Sequence, residues 1–113
     1  MAKLKPTDIA PFVLEVLGKA PRKHGELSFL TAYQILDRLP KTVRARLIRE
    51  RKLGGRGTGN RYAAASAVAK AAEAMKTSVE VHYLDTKTIE LTVNKQAVKP
   101  TSRACGIFRK KEE

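Results

Sequence analysis

The sequence predicts an α+β fold, in which a helical N-terminal part is followed by an antiparallel β-hairpin or small sheet. Apolar residues recur at helical spacing up to about residue 75, and beyond Lys76 they alternate with polar residues at period two. With 113 residues the chain has the length of one domain. We therefore expect a single domain over 1–113 that is mainly helical over 7–75, mainly β over 78–109 and frayed over 110–113.

A first helix is expected from five apolar residues at helical spacing: Ile9, Val13, Val16, Leu17 and Ala20. Thr7 can cap this helix. Because proline is best tolerated in the first turn, Pro11 leaves a start near Ala10 as the alternative. Gly18 and Pro21 mark the end of the helix, and the segment "PRKHGEL" is typical of an exposed loop.

The second helix has a capping signature. In "FLTAYQILDRLP", Thr31 and Gln34 have the Ser/Thr-x-x-Glu/Gln spacing of a capping box. Leu30 and Ile35 are placed to form a hydrophobic staple across the same end. Pro40 ends this helix and can open the next one.

The third helix, "KTVRARLIRERKL", separates apolar residues from cations. At about 100° per residue, Val43 and Leu47 share one side and Ile48 lies further round. Arg44 and Arg51 point toward this packed side, which leaves two alternatives: their long side chains snorkel outward, or the helix ends before Arg51. The opposite arc holds Thr42, Ala45, Arg46, Arg49 and Lys52.

A glycine-rich loop, "KLGGRGTGNRY", joins this helix to the alanine-rich segment "YAAASAVAKAAEAM", which has high helix propensity. The loop lacks the lysine and hydroxyl of a Walker loop, and it follows a helix instead of the strand that a Rossmann fingerprint needs. Three interpretations are weighed for it: a phosphate-cradling turn at the next helix N-terminus, a wing that contacts nucleic acid, and a plain linker. The phosphate-cradling turn ranks below a basic surface loop.

The last third of the chain predicts strands. "SVEVHYL" and "TIELTVN" both alternate at period two, and "DTKT" between them is a plausible turn. We expect 78–84 and 88–94 to pair as an antiparallel hairpin supported by the alanine-rich helix. Val79, Val81, Ile89 and Leu91 should be more buried than Glu80, Glu90 and Thr92. "RACGIFRKK" is a candidate third short strand.

The charge of the chain favours a polyanionic partner. The formal net charge is +12, a balance most often associated with nucleic acid. Between Lys41 and Arg61 eight cationic residues stand against Glu50 alone, which places +7 of the total in this segment. An anionic membrane surface is a less favoured partner than nucleic acid, and no apolar stretch has the length of a membrane-spanning helix, so the expected partner is nucleic acid and not a membrane. The single cysteine excludes an internal disulfide framework, and the cytoplasm is the expected compartment.

Residues for catalysis or metal binding do not form a recognisable pattern. His24 and His82 are the only histidines, and neither has a partner at motif spacing. Cys105 is expected to be a small buried hydrophobe instead of a nucleophile. No Cys/His cluster has zinc spacing. We therefore expect neither an enzyme nor a cofactor.

The helical part resembles a winged helix-turn-helix over about residues 7–75. The resemblance is carried by "LTAYQILDRLP", "KTVRARLIRERKL" and "GGRGTGNRY". In such folds the second helix of the pair enters the major groove of DNA, and phosphate contacts fix its register. The resemblance implies groove-facing Arg46 and Arg49 and a nucleic-acid-binding set of Lys41, Thr42, Arg46, Arg49, Lys52, Gly55, Arg56, Gly57 and Arg61.

Two alternatives to a DNA-binding protein remain open. The same basic residues suit RNA or ribosome binding. A protein of a different class, a homodimeric interaction module that uses a sheet edge or the alanine-rich helix, would carry its charge for solubility alone. A contiguous basic surface favours nucleic acid, whereas scattered cations beside a large apolar patch favour the interaction module.

Overall fold

A computed structural model of the chain describes residues 4–51, 64–85, 91–93, 95–98 and 104–111. The helices in these ranges are α1 (Pro6–Gly18), α2 (Ala32–Arg38), α3 (Lys41–Arg51) and α4 (Ala64–Ala74). The strands are β1 (Arg22–Lys23), β2 (Glu26–Leu27), β3 (Leu30–Thr31), β4 (Val79–Asp85), β5 (Leu91–Val93), β6 (Gln96–Val98) and β7 (Ala104–Lys110). The α+β class is confirmed, with the helices toward the N-terminus and small antiparallel sheets.

The largest sheet in the described ranges has the order β3–β7–β4, and both of its pairings are antiparallel. Leu30 on β3 is opposite Phe108 on β7, and β4 pairs with β7 along its whole length, from Val79 opposite Lys110 to Asp85 opposite Ala104. The side chain of Phe108 is fully buried. The segment "RACGIFRKK" therefore supplies the central strand of this sheet.

The predicted pairing of 78–84 with 88–94 is wrong, although strands are present in both segments. β4 pairs with β7, and β5 pairs with β6 in a separate two-stranded sheet. Alternation at period two identifies a strand and its two faces, but it does not identify the neighbour that forms the hydrogen bonds. Residues 86–90 and 94 of the predicted hairpin lie outside the described ranges.

The predicted burial contrast along these strands holds only in part. Val79 is buried, but Val81 and Glu80 are both half-buried. The alanine-rich helix α4 contacts β4, as expected, whereas β5 contacts α2. The differences in burial expected between Ile89 or Leu91 and Glu90 or Thr92 concern side chains that the structure does not describe.

The hydrophobic core lies between α1, α2, α4 and the inner face of the sheet. Small side chains on α4 allow close helix packing, and six residues of this helix are buried: Ala64, Ala65, Ala67, Val68, Ala71 and Ala72. Ile9, Val13 and Leu17 of α1 are fully buried at the spacing read from the sequence. No helix within the described ranges has the length and apolar character needed to cross a membrane.

The start of α1 differs from both expected starts. The helix begins at Pro6, with Lys5 as the N-cap residue, and Pro11 lies inside it. Asp8 accepts a hydrogen bond from the Lys5 amide at 2.8 Å, so the carboxylate of Asp8 satisfies this helix end. Thr7 does not cap it. Pro6 occupies the first helical position, where the fixed φ of proline suits the helix and its missing N–H costs nothing.

The capping box of α2 is confirmed. The Gln34 amide donates to the hydroxyl oxygen of Thr31 at 3.1 Å, and the Thr31 amide donates to the Gln34 side-chain oxygen at 2.9 Å. Leu30 and Ile35, predicted to form a staple across this end, are both buried.

The segment expected as a loop after α1 is a short β-hairpin. Lys23 pairs with Glu26, and His24 and Gly25 between them have φ values of 54° and 81°. Two successive positive φ values are the requirement of a type I′ turn, which fits the twist of paired strands. Apart from Leu27, which is buried, the hairpin is exposed.

The C-terminal end of the described chain is tied down further than expected. Fraying was expected from Lys110, but β7 includes Lys110. The amide of Lys111 donates to the Ser78 carbonyl at 2.8 Å, and its ammonium donates to the Lys76 carbonyl at 2.9 Å.

Candidate nucleic-acid interface

The basic helix α3 follows α2 after a two-residue connection, Leu39 and Pro40. Leu39 is buried and anchors the connection to the core. Pro40 accepts a hydrogen bond from the Arg44 amide at 2.9 Å. Proline cannot continue α2, but its carbonyl can accept the first hydrogen bond of the next helix, so this connection fixes where α3 begins.

The two sides of α3 are those read from the sequence. Leu47 is fully buried, and Val43 and Ile48 pack against the core while half-buried. The opposite side exposes Lys41, Thr42, Ala45 and Arg49. Among the described residues, the side chains of Lys41 and Arg49 form no ion pair within 4 Å, which leaves both ammonium and guanidinium groups facing solvent.

Arg46 differs from these exposed cations because its guanidinium is already engaged. Its Nε donates to Glu50 Oε2 at 3.0 Å, and the Glu50 side chain is only 15% exposed. The amide of Leu4 donates to the other oxygen of Glu50 at 2.9 Å. This contact ties the start of the described chain to α3.

The electrostatic environment of Glu50 favours its charged form. The hydrogen bond from the Leu4 amide has the largest effect and lowers the pKa of the Glu50 carboxyl. Burial opposes it and comes second, and the hydrogen bond and charge of Arg46 and the charge of Arg49 then lower the pKa further. Arg46 is therefore held against a carboxylate that stays ionised. The Nε of Arg46 is committed to this ion pair.

Arg44 folds back toward the preceding helix. Its guanidinium donates to the Asp37 carbonyl at 2.7 Å and lies 3.8 Å from the Asp37 carboxylate. A cation near the last carbonyls of α2 is favourably placed in the helix dipole. The side chain of Arg44 therefore contacts the end of α2, where the sequence led us to expect an arginine that snorkels outward.

Sequence reasoning missed one cation of the helix pair, Arg38. This residue is exposed in the last turn of α2, three residues before Lys41. The sequence contained a signal for this exposure. Arg38 directly precedes Leu39, and when Leu39 points into the core its neighbour points away from it.

The rest of the predicted binding set falls between α3 and α4. Lys52, Gly55, Arg56, Gly57 and Arg61 lie outside the described residues, as does the choice between a wing and a linker for this loop. The described part of the site therefore consists of Lys41, Thr42, Arg46 and Arg49, together with Arg38.

Arg22 and the C-terminal lysines form a second basic surface. An open cleft of about 770 Å³ lies next to the C-terminal end of α1 and the end of β7. Its described lining contains Arg22, Lys110 and Lys111 together with Thr77 and Ser78, and no carboxylate. One of these cations already has a partner within the chain, since the Arg22 guanidinium donates to the Gly25 carbonyl at 2.9 Å.

The outer face of the sheet carries a polar and aromatic cluster that the sequence did not reveal. The guanidinium carbon of Arg109 lies 4.4 Å from the centre of the Phe29 ring, and its Nη2 donates to Glu80 at 2.8 Å. The His82 ring stands nearly perpendicular to the same Phe29 ring, with 5.3 Å between the ring centroids. These residues come from distant parts of the sequence, so no local spacing predicts the cluster.

The titratable groups suited to nucleophilic chemistry are buried or scattered. Burial raises the pKa of the Cys105 thiol, and burial followed by the nearby Cys105 raises the pKa of Tyr33. Cys105 is 7% exposed, which confirms its expected role as a small buried hydrophobe. Within the described ranges, no group of three or more Asp, Glu, His or Cys side chains is placed to hold a metal ion.

Comparison with known proteins gives no match: no family, no curated protein and no solved structure is similar to this chain.

Proposed function

We propose that this chain binds nucleic acid, with duplex DNA as the first target, through the exposed side of α3. The observation that carries the proposal is the combination of Lys41, Thr42 and Arg49 on one solvent-facing side with a surrounding segment that holds +7 of the +12 net charge. Cations presented on one side of a helix contact phosphates and release counterions, which is the main source of nucleic-acid affinity.

The order of the secondary-structure elements supports the winged helix-turn-helix form of the proposal. One strand, β3, precedes the helix pair α2–α3, two longer strands, β4 and β7, follow the helices, and all three join in one antiparallel sheet. The segment between β4 and β7 is then a second candidate for the wing, besides the glycine-rich loop.

The contacts within α3 suggest different roles for its cations. Lys41 and Arg49 suit phosphate contacts because they are exposed, and Arg38 extends the same basic surface. Arg46 differs from these cations because its Nε is already held by Glu50. In the glycine-rich loop, Lys52, Arg56 and Arg61 are proposed phosphate contacts, with Gly55 and Gly57 allowing close approach of the backbone.

The test is a salt titration of binding to a labelled duplex by fluorescence anisotropy. Each phosphate contact contributes about 0.9 to the slope of log affinity against log salt. We therefore expect Lys41→Ala and Arg49→Ala each to reduce the slope by roughly that amount. The matched control is Lys70→Ala, which removes an exposed cation from α4, and Lys110→Ala probes the basic cleft. If Lys110→Ala changes the slope and Arg49→Ala does not, the cleft is the binding surface.

Arg46→Ala separates recognition from structure. If Arg46 reads a base, this variant changes sequence preference among duplexes as well as affinity. If its role is confined to the Glu50 contact, melting temperature falls while the salt slope and sequence preference stay those of the wild type. Failure of the wild-type protein to bind duplexes, hairpins and single strands at micromolar concentration in low salt would overturn the proposal, and binding to RNA alone would redirect it to the RNA alternative.

A further inference from the structure

The strand β4 forms one edge of the main sheet. No other strand in the described ranges pairs with its outer side, and it is seven residues long. Two large hydrophobic side chains of this strand are exposed, Tyr83 at 68% and Leu84 at 38%. Long edge strands with exposed apolar side chains are templates for pairing with another chain.

A groove of about 520 Å³ runs along this edge. Five consecutive residues, from Val79 to Tyr83, line it on the strand side, and Glu73 and Lys76 near the C-terminal end of α4 line it opposite. Successive residues of a strand point to opposite faces. A groove that touches five in a row therefore follows the edge of the sheet and not one of its faces.

The hydrogen-bonding groups that face the groove follow from the register of β4 with β7. The Lys111 amide donates to the Ser78 carbonyl, so residue 78 and every second residue after it direct their backbone groups toward β7. The alternate residues, Val79, Val81 and Tyr83, direct theirs outward. The Val79 amide donates to the Met75 carbonyl. Along the groove, this leaves the amides of Val81 and Tyr83 as the donors that point outward.

We propose that a second copy of this chain occupies the groove, with β4 paired antiparallel to β4 of the partner about a two-fold axis at Val81. In this register Glu80 lies opposite the partner's His82, and Val79 lies opposite the partner's Tyr83. On one face of the joined sheet an imidazole then faces the Glu80 carboxylate, which also accepts from Arg109 of its own chain. On the other face, Val81 faces the partner's Val81, and the exposed Tyr83 covers the edge beside the partner's buried Val79.

The neighbouring registers lack this complementarity. Centred on Glu80, the pairing places two carboxylates directly opposite each other, which is destabilising. Centred on His82, it places Val79 opposite the partner's Asp85 and Glu80 opposite the partner's Leu84. A two-fold axis between two residues would place residues from opposite faces of the sheet directly opposite each other. Registers of that kind are excluded, because directly opposite side chains must share a face.

The charge of the groove also favours a second copy over a polyanion. Its lining carries two carboxylates, Glu73 and Glu80, and two ammonium groups, Lys76 and Lys111. This region is therefore close to neutral on a chain whose net charge is +12. In the joined sheet the Val81 amide donates to the partner's Val81 carbonyl, and the Tyr83 amide donates to the partner's Val79 carbonyl, reciprocally.

The experiment is sedimentation equilibrium of the full chain over the micromolar range, in enough salt to screen repulsion between two basic chains. We expect a reversible dimer. Val81→Pro removes the amide at the two-fold axis without removing a hydrogen bond to β7, because that amide points outward. His82→Glu places one carboxylate directly opposite the partner's Glu80, at each of the two symmetry-related positions, and should raise the dimer dissociation constant by about tenfold. Ala45→Glu, the same charge change on exposed α3, is the control and should leave it unchanged.

A wild-type chain that stays monomeric throughout the micromolar range overturns the proposal. A dimer that Val81→Pro leaves intact places the interface elsewhere and overturns it as well. Circular dichroism verifies that each variant is folded, and if Val81→Pro fails to fold, the difference between His82→Glu and Ala45→Glu decides. None of these outcomes depends on nucleic-acid binding.

Discussion

The ring of Phe108 lies over Gly106, two residues earlier on the same face of β7. A Cβ atom built on Gly106 would come within 2.8 Å of the Phe108 Cζ atom, closer than two carbon atoms can approach without displacement. Phe108 is fully buried, so its ring cannot move aside into solvent. The central strand of the sheet therefore requires glycine at this position for packing.

Gly106→Ala should destabilise the protein by about 1–3 kcal/mol, the usual cost of overpacking a core. This cost exceeds the gain of roughly 0.4–1 kcal/mol that alanine brings by restricting the unfolded chain. Urea unfolding of the single variants and of the double variant Gly106→Ala/Phe108→Leu measures the coupling between the two sites. We expect the double variant to lose less unfolding free energy than the two single variants lose together. Strict additivity of the losses would show that the ring does not oppose the new methyl group.

The cap of α2 provides a matched pair of threonine substitutions. Thr31→Ala removes a hydroxyl that accepts the Gln34 amide, and we expect a loss of about 1 kcal/mol. Thr7→Ala removes an exposed hydroxyl at a position that the sequence suggested as a cap but where the structure shows Lys5 in that role, and it should change stability little. Equal effects of the two substitutions on the unfolding midpoint would contradict the assignment of the caps.

Glu50 should make stability depend on pH. Its pKa is lowered in the folded protein, first by the Leu4 amide, so its contribution is fully present above the pKa that glutamate has in the unfolded chain. The contribution is lost as pH falls through the lowered folded value. Glu50→Gln should therefore lower the melting temperature at neutral pH, and the difference from wild type should narrow under acidic conditions.

The control for this pH series is Glu15→Gln. Glu15 forms an exposed ion pair with Lys19, and exposed pairs contribute little to stability. A gap between wild type and Glu50→Gln that stays constant or widens on acidification would show that the Leu4 and Arg46 contacts do not stabilise the charged carboxylate.

Cys105 should react slowly with thiol reagents in the folded protein. The thiol is buried and its pKa is raised, and the thiolate is the reactive form. Labelling with a chromogenic disulfide at neutral pH is expected to be slow in buffer and fast after unfolding in guanidinium. Rapid, complete labelling of the native protein would show that the region around Cys105 opens readily.

Local features of the fold were readable from the sequence because short-range contacts produce them. The Thr31–Gln34 capping box joins residues three apart, and the packed and exposed sides of α3 follow from the spacing of Val43, Leu47 and Arg49. For the same reason the alternation in "SVEVHYL" and "TIELTVN" identified strands, β4 and β5, within both segments. The α+β class follows from these local patterns together.

Other features were missed although their signals are also local. The two-residue turn at His24 and Gly25 forms a hairpin, and glycine at its second position is a hairpin signal. Pro6 marks the start of α1 more accurately than Thr7, because proline at the first helical position leaves no amide unsatisfied.

The choice of strand partners was decided by tertiary structure. Each strand pattern is compatible with several neighbours, and β7 becomes central because Phe108, which is fully buried, lies opposite both Leu30 of β3 and Val81 of β4. The engagement of Arg46 is a local feature, since Glu50 lies four residues later on the same helix. The contact of the Leu4 amide with the same carboxylate is a long-range one. By itself, the sequence determined the helices, the longer strands and the concentration of positive charge. The choice of strand partners and the contact between Leu4 and Glu50 depended on long-range contacts, which local spacing does not encode.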